Sequence, residues 1–254
     1  YEEAIKCFDK AIEINPNYEE AWDNKGVALS SLQKYEDAMK CFDRAIEIDS
    51  NCAGAWYNKG WTFSLLRNYE EAIKCFDKAI KIDPNYAEAW QFKGEALFQL
   101  GKDKDAFKCF DKATEIDPNH VESWYKKGMM LNNFGKFKDA IKCYDKTIEI
   151  DPNHTGAWCY KGLALLNSGK HKEALTCFDK AIEIDPNFAD AWLNKGAALH
   201  RLGKREEEEM KCYDKVIELR PNDARAWYNK GAVLGNLGKH EEAFTYFDKA
   251  VEID

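Results

Sequence analysis

Apolar residues recur along this chain at the three- and four-residue spacing of a single helical face, in short segments broken by polar turns. Residues 87–120 show the pattern clearly. Trp90, Gly94 and Leu97 share one face of a first segment, and Ala106, Phe110, Ala113 and Ile116 form one stripe of a second. Gly101-Lys102 lies between them, where a glycine takes the left-handed conformation that follows a helix. Asp117-Pro118-Asn119 closes the second segment. The spacing predicts one helix over 87–100 and another over 104–116.

The same pair is repeated along the whole chain. Trp22, Trp56, Trp90, Trp124, Trp158 and Trp192 stand 34 residues apart, and Trp227 follows after 35. A glycine comes four residues after each: Gly26, Gly60, Gly94, Gly128, Gly162, Gly196 and Gly231. The 254 residues divide into a half-repeat 1–18 and repeats 19–52, 53–86, 87–120, 121–154, 155–188, 189–223 and 224–254. Positions below count residue 19 as position 1. A mid-helix glycine costs about 1 kcal/mol against alanine, so its recurrence predicts a neighbouring helix packed too close for a side chain. One helix pair cannot bury its own stripe, whereas stacked pairs share a continuous core. The expected fold is therefore all-α, an α-solenoid of stacked helix-turn-helix repeats forming one domain, 1–254.

These residues resemble the tetratricopeptide repeat family. The period matches, as do Trp at position 4, Gly at 8, Ala at 20 (Ala38, Ala72), Phe or Tyr at 24 (Phe42, Tyr144), Ala at 27 (Ala45, Ala79) and Pro at 32 (Pro84, Pro118). Lysine at position 7 (Lys25, Lys59, Lys93) and leucine at position 11 depart from the pattern. The resemblance implies a right-handed superhelix whose first helices line a concave groove for peptides or partner proteins. In relatives that hold a terminal carboxylate, lysine, asparagine and arginine stand at groove positions 2, 5, 6 and 9. Here position 5 runs Asp23, Tyr57, Gln91, Tyr125, Cys159, Leu193, Tyr228, and position 2 is mostly acidic or glycine. That clamp is absent.

Composition narrows the function further. At 45% apolar and 32% charged, the chain is too apolar for disorder. No apolar run reaches the length of a membrane span, and no signal peptide is visible. The net charge of −8 repels phosphates, so nucleic acid is not expected as a partner. Nine cysteines without a dense disulfide framework favour a reducing, cytoplasmic setting.

Seven of those cysteines, Cys7, Cys41, Cys75, Cys109, Cys143, Cys177 and Cys212, occupy position 23. A metal or redox ladder would use them, but no Cys-x-x-Cys pair exists. A small hydrophobe in the second helix accounts for the series. The five histidines show no ligand spacing, so no metal or cofactor is expected. Gly169-Lys170 and Gly238-Lys239 lack the rest of a phosphate loop. No nucleophile motif appears, and the chain is not expected to be an enzyme. The Asp-Lys pairs at positions 25–26 and the position-7 lysines read as a solvated or inter-repeat charge ladder.

The irregular residues lie on the other face of the first helices. Positions 4, 7, 8 and 11 share one face, and 2, 5, 6, 9, 12 and 13 the opposite one, which the resemblance makes the groove. Position 6 is Asn24, Asn58, Asn194 and Asn229. An amide both donates and accepts, matching a peptide backbone of any sequence; the alternative is a tolerated surface residue. In the middle, position 6 becomes Phe92, Lys126 and Tyr160. Nearby stand Tyr57, Trp61, Phe98, Tyr125 and Met129, with Leu163 and Leu166 beyond. Large apolar side chains on a solvated face suggest a contact patch; alternatively they touch the next repeat's helix. The expected function is recognition of an extended peptide or partner segment centred on repeats 2 to 5. The competing reading is a structural spacer or self-stacking rod.

Two local expectations remain. Repeat 6 carries one extra residue, and Glu209 stands where the other second helices have alanine. A bulge or lengthened turn over 204–209 is expected to keep Glu209 wet or paired with a base. The pattern also begins at position 17 and stops at position 31, so a longer array and weak end-to-end association are expected.

Overall fold

In a computed structural model, residues 1–203 and 206–253 are described. They form fifteen α-helices: α1 Glu2–Ile14, α2 Glu19–Ser31, α3 Tyr35–Ile48, α4 Ala53–Leu65, α5 Tyr69–Ile82, α6 Ala87–Gln99, α7 Asp103–Ile116, α8 Val121–Asn133, α9 Phe137–Ile150, α10 Thr155–Asn167, α11 His171–Ile184, α12 Ala189–Leu202, α13 Glu206–Leu219, α14 Ala224–Asn236 and α15 His240–Ile253. No strand occurs among the described residues. The helices group into two compact units, residues 1–123 and 124–254. In the first, the pairs α2–α3, α4–α5 and α6–α7 stack in order, with α1 against α2. In the second, α10–α11, α12–α13 and α14–α15 stack in the same way, with α9 against α10. The chain is thus the all-α repeat solenoid that its periodicity predicts.

The turns follow from backbone chemistry. Gly101, Gly135, Gly169 and Gly238 all sit between φ 70° and φ 81°, where a side chain is strained. Gln33 and Arg67 fill the same slot at φ 60° and φ 57°. Position 34 caps the following helix. The backbone N–H of Ala157 donates to His154 Nδ1 at 3.0 Å, that of Ser123 to His120 Nδ1 at 3.3 Å, and that of Ala55 to Cys52 Sγ at 3.4 Å. Two of the histidines with no ligand spacing therefore cap N–H groups in the first turn of a helix.

Each pair closes on one contact. A Cβ added at Gly26 would fall 2.5 Å from the Phe42 ring, and one at Gly162 would fall 2.6 Å from Phe178. The mid-helix glycine lets the two helices of a repeat approach over a position-24 ring, and Phe42, Phe76 and Phe178 are wholly buried. Around each ring lie the position-20 alanine and the position-23 cysteine, as with Ala72 and Cys75 beside Phe76.

Successive pairs are joined by polar contacts repeated through the stack. The position-7 lysine reaches the position-25 aspartate of the preceding second helix: Lys25 to Asp9, Lys93 to Asp77, Lys161 to Asp145 and Lys195 to Asp179, all at 2.6 Å, with Lys59–Asp43 and Lys230–Asp214 alike. Five of these lysines lie over the position-4 indoles, Lys93 5.4 Å from the Trp90 ring centre and Lys161 5.4 Å from that of Trp158, whereas Lys230 lies over the Tyr246 ring at 4.5 Å. The indole N–H of Trp22, Trp56, Trp90, Trp158, Trp192 and Trp227 in turn donates to the carbonyl six residues back, as Trp90 to Pro84 at 3.0 Å and Trp227 to Pro221 at 2.8 Å. The charge ladder is therefore inter-repeat, and the lysine at position 7 is where tryptophan and aspartate meet.

Repeat 6 departs from the others. Residues 204 and 205, part of the expected lengthened turn, lie outside the described residues. Residues 206–209 are not a bulge but the first turn of α13. Glu206, Glu207 and Glu208 are exposed, yet Glu209 is only 5% exposed. It is paired with a base, His200 Nδ1 at 3.2 Å, and the Tyr213 hydroxyl donates to it at 3.5 Å. Burial raises the Glu209 carboxyl above its usual range, and His200 and Tyr213 offset that only in part.

Two outcomes follow. Gly162→Ala should cost about 1–3 kcal/mol in chemical denaturation, because overpacking against Phe178 outweighs the gain in helix propensity; a stabilised variant would contradict the close-approach account. A carboxyl raised in the folded state contributes stability at low pH that is lost as pH rises through the folded value. Glu209→Gln should therefore stabilise the chain by about 1 kcal/mol at neutral pH, and the difference should shrink toward acid. A pH-independent difference would remove Glu209 as the cause.

Candidate functional site

The first-helix face is built from positions 5 and 6 of successive repeats, which meet each other. In the first unit the Asn58 amide donates to both carboxylate oxygens of Asp23 at 3.0 Å. Tyr57 meets Phe92 edge-on, with ring centres 5.8 Å apart. Tyr57 also contacts Tyr86 at 5.0 Å and the buried Phe76 at 6.0 Å, and Phe92 stacks on Phe76 at 6.3 Å. The second unit repeats this cluster: Tyr125 meets Tyr160 at 5.8 Å, His154 at 4.6 Å and Tyr144 at 6.3 Å. Asn194 there approaches Cys159 Sγ at 3.8 Å.

The predicted residues thus separate by place. Tyr57, Phe92, Tyr125 and Tyr160 touch the neighbouring repeat, the second of the two arrangements open to them. Asn58 and Asn194 spend their donors on the preceding repeat, and Asn24 donates to its own helix at Glu20 O, 2.8 Å away. Lys126, Met129 and Asn229 are half-buried, Leu166 packs against the core around Phe178, and Phe98 is 40% exposed. Position-5 partners such as Asp23 and Cys159 were not singled out from the sequence. Their signal was present: an aromatic at position 5 is followed 35 residues later by an aromatic, as in Tyr57 with Phe92 and Tyr125 with Tyr160.

A cavity opens on this face in each unit. In the first, Trp61 and Leu65 of α4, Tyr69 of α5, and Phe92, Glu95 and Ala96 of α6 line about 220 Å³. Gln91, itself 5% exposed, donates to the Glu95 carboxylate at 2.9 Å. In the second, a broader groove of about 820 Å³ is lined by Leu193, Asn194, Arg225, Tyr228, Asn229 and Phe247, among others. Arg225 is already held by Asp223 at 2.7 Å, and Tyr228 is 59% exposed over Phe247, with ring centres 5.4 Å apart.

Sequence comparison reads the whole stack in one way. Models described as tetratricopeptide repeat match residues 20–52, 53–86, 87–120, 121–154, 143–176, 189–223 and 224–254, and one described as TPR repeat matches 1–33 and 162–203. The chain belongs to the tetratricopeptide repeat family. An uncharacterized protein of Methanocaldococcus jannaschii is 53% identical over 34 residues, 13% of this chain and 40% of that protein. The match thus spans well under half of that relative. Among solved structures, YrrB, described as a TPR protein with an unusual peptide-binding site, is 31% identical over 72% of this chain and 95% of its own, with a TM-score of 0.61. A MamA structure is 26% identical over 65% and 96%, with a TM-score of 0.59. The Cut9–Hcn1 hetero-tetramer structure, 17% identical with a TM-score of 0.72 over 98% and 49%, shares the fold.

Chemistry elsewhere in this tetratricopeptide array is subdued. Among the described residues no three His, Cys, Asp or Glu side chains are grouped to hold a metal ion, and no helix is long and apolar enough to cross a membrane. The nine cysteines are free thiols. Burial pushes Cys75, Cys109, Cys177 and Cys212 up to about 11 and Cys159 to about 12. Since the thiolate is the nucleophile, these side chains are inert packing groups. Cys7 alone of the position-23 series is exposed. Near neutral pH, iodoacetamide should alkylate Cys7 well before the six buried members, and denaturant should erase the difference. Equal rates in the folded chain, read by peptide mass spectrometry, would contradict the scaffold role.

Proposed function

We propose that this tetratricopeptide scaffold recognises extended segments of partner proteins on its first-helix face, through the Trp61 cavity in the first unit and the Asn194–Asn229 groove in the second. One observation carries the reading. Every other tryptophan stands at position 4, where those of both stacks pin the inter-repeat turn, whereas Trp61 stands at position 9 and lines an open cavity. A large aromatic in such a place adds nothing to the ladder and offers apolar surface to a ligand. The Asn229 amide and the exposed Tyr228 supply polar and aromatic contacts of the kind a peptide backbone and side chain use. Tyr57, Asn58, Tyr125 and Tyr160 act as the floor, shaping the face while locked between repeats. Similarity to YrrB, described as having a peptide-binding site, supports the same reading.

The spacer reading draws on the identical Lys–Asp and Trp–carbonyl contacts in successive repeats, which would serve a rod equally well. Selection of a random-peptide library against the intact chain separates the two. Binding peptides should lose at least about tenfold in affinity, roughly 1.4 kcal/mol, on Trp61→Ala or Tyr228→Ala, while thermal stability changes little. The spacer reading would gain if no peptide bound in dependence on either residue.

A further inference from the structure

We propose that repeat 121–154 binds one internal water molecule between Asn132 of α8 and Tyr144 of α9, at the place a carboxylate fills in repeat 189–223. The inference is independent of the peptide-recognition reading. Position 24 is phenylalanine in five of the seven full repeats and tyrosine in two, Tyr144 and Tyr213. Those two repeats are also the ones with an amide or an imidazole at position 12, Asn132 and His200. In the phenylalanine repeats position 12 is Ser30, Ser64, Phe98, Leu166 or Gly235. A hydroxyl on the buried ring is thus accompanied by a longer polar side chain on the paired first helix.

Repeat 189–223 shows how such a hydroxyl is satisfied. A single oxygen, Glu209 Oε1, lies 3.2 Å from His200 Nδ1 and accepts from the Tyr213 hydroxyl at 3.5 Å. Repeat 121–154 has the same frame. A Cβ added at Gly128 would fall 2.6 Å from the Tyr144 ring, and one at Gly196 would fall 2.6 Å from that of Tyr213. The residue one turn before Tyr144 is Ala140, however, whose side chain stops at Cβ and carries no oxygen to share. Tyr144 is wholly buried. Among the described residues its hydroxyl and Asn132 Oδ1, both shut off from solvent, have no hydrogen-bond partner. Buried polar atoms left unpaired are costly, and ordered water settles where several of them converge. Water can accept from the tyrosine O–H and donate to the amide oxygen, or accept from the amide nitrogen if the group is turned over. It thus replaces the bridging oxygen of Glu209 without bringing a charge into the core.

The test is a crystal structure of the intact chain at a resolution that shows ordered water, together with thermal unfolding of two variants. Density for one water should lie within hydrogen-bonding distance of both the Tyr144 hydroxyl and the Asn132 amide. Tyr144→Phe removes one end of the bridge and should lower the melting temperature by about 2–4 °C. Asn132→Leu combined with Tyr144→Phe copies the leucine and phenylalanine that repeat 155–188 carries as Leu166 and Phe178. With both polar ends gone, that double variant should recover most of the loss. A dry site, or a direct hydrogen bond between Tyr144 and Asn132, would overturn the proposal. So would a Tyr144→Phe variant that melts at or above the unaltered chain, the behaviour of a hydroxyl with nothing bound to it. A double variant no more stable than Tyr144→Phe would also overturn it, because the loss would then come from packing.

Discussion

The close approach of a mid-helix glycine to a position-24 ring sets the geometry of every repeat in both stacks. Without a Cβ at Gly26, Gly60 or Gly162, the first helix can rest on the ring of Phe42, Phe76 or Phe178. That ring then becomes the floor on which the next repeat is laid, as Phe92 stacks on Phe76 and Tyr160 approaches Tyr144. The local cost of glycine, about 1 kcal/mol, is offset by burying a whole aromatic side chain, worth roughly 1.5–3 kcal/mol. The rest of the scaffold is secondary to this contact. The lysine–aspartate pairs are half-exposed and individually weak, and they set register between repeats rather than hold the helices together.

The sequence made most of this legible, because a repeat compares each position with itself. Period, helix pairs, turn glycines, buried cysteines and the charge ladder all follow from features that recur. What it leaves undecided is contact between unlike positions. Tyr57 and Phe92 are 35 residues apart and occupy different slots, so a face-by-face reading leaves both a solvated patch and contact with the next repeat open. The structure puts them against each other because neighbouring first helices bring position 5 of one repeat to position 6 of the next. Glu209 shows the same limit. Its burial was unfavourable by rule, and only the fold brings His200 within 3.2 Å of it.

This pairing also limits what the face can recognise. Where positions 5 and 6 bond to each other, as in Asp23 with Asn58, their donors and acceptors are partly consumed. A groove asparagine is then less available to a peptide than its position implies, and the inter-repeat interface, not the ligand, accounts for its presence. Asn229, which faces the open groove of the second unit, is placed differently from Asn58 in this respect.

On the proposed reading, selectivity falls to residues outside the pairing of positions 5 and 6. Position 9 reads Val27, Trp61, Glu95, Met129, Leu163, Ala197 and Ala232, six residue types in seven repeats. Two of its members, Trp61 and Glu95, come together across α4 and α6 in one cavity, with position 13 contributing Leu65 and Gln99. Where such a side chain lines the face, as Trp61 does, it can vary with little loss of the fold, whereas Val27 in the same column packs against the core around Phe42. Trp61 therefore lines a cavity at a place where the inter-repeat ladder asks for no indole, which is the physical ground for reading it as surface offered to a ligand.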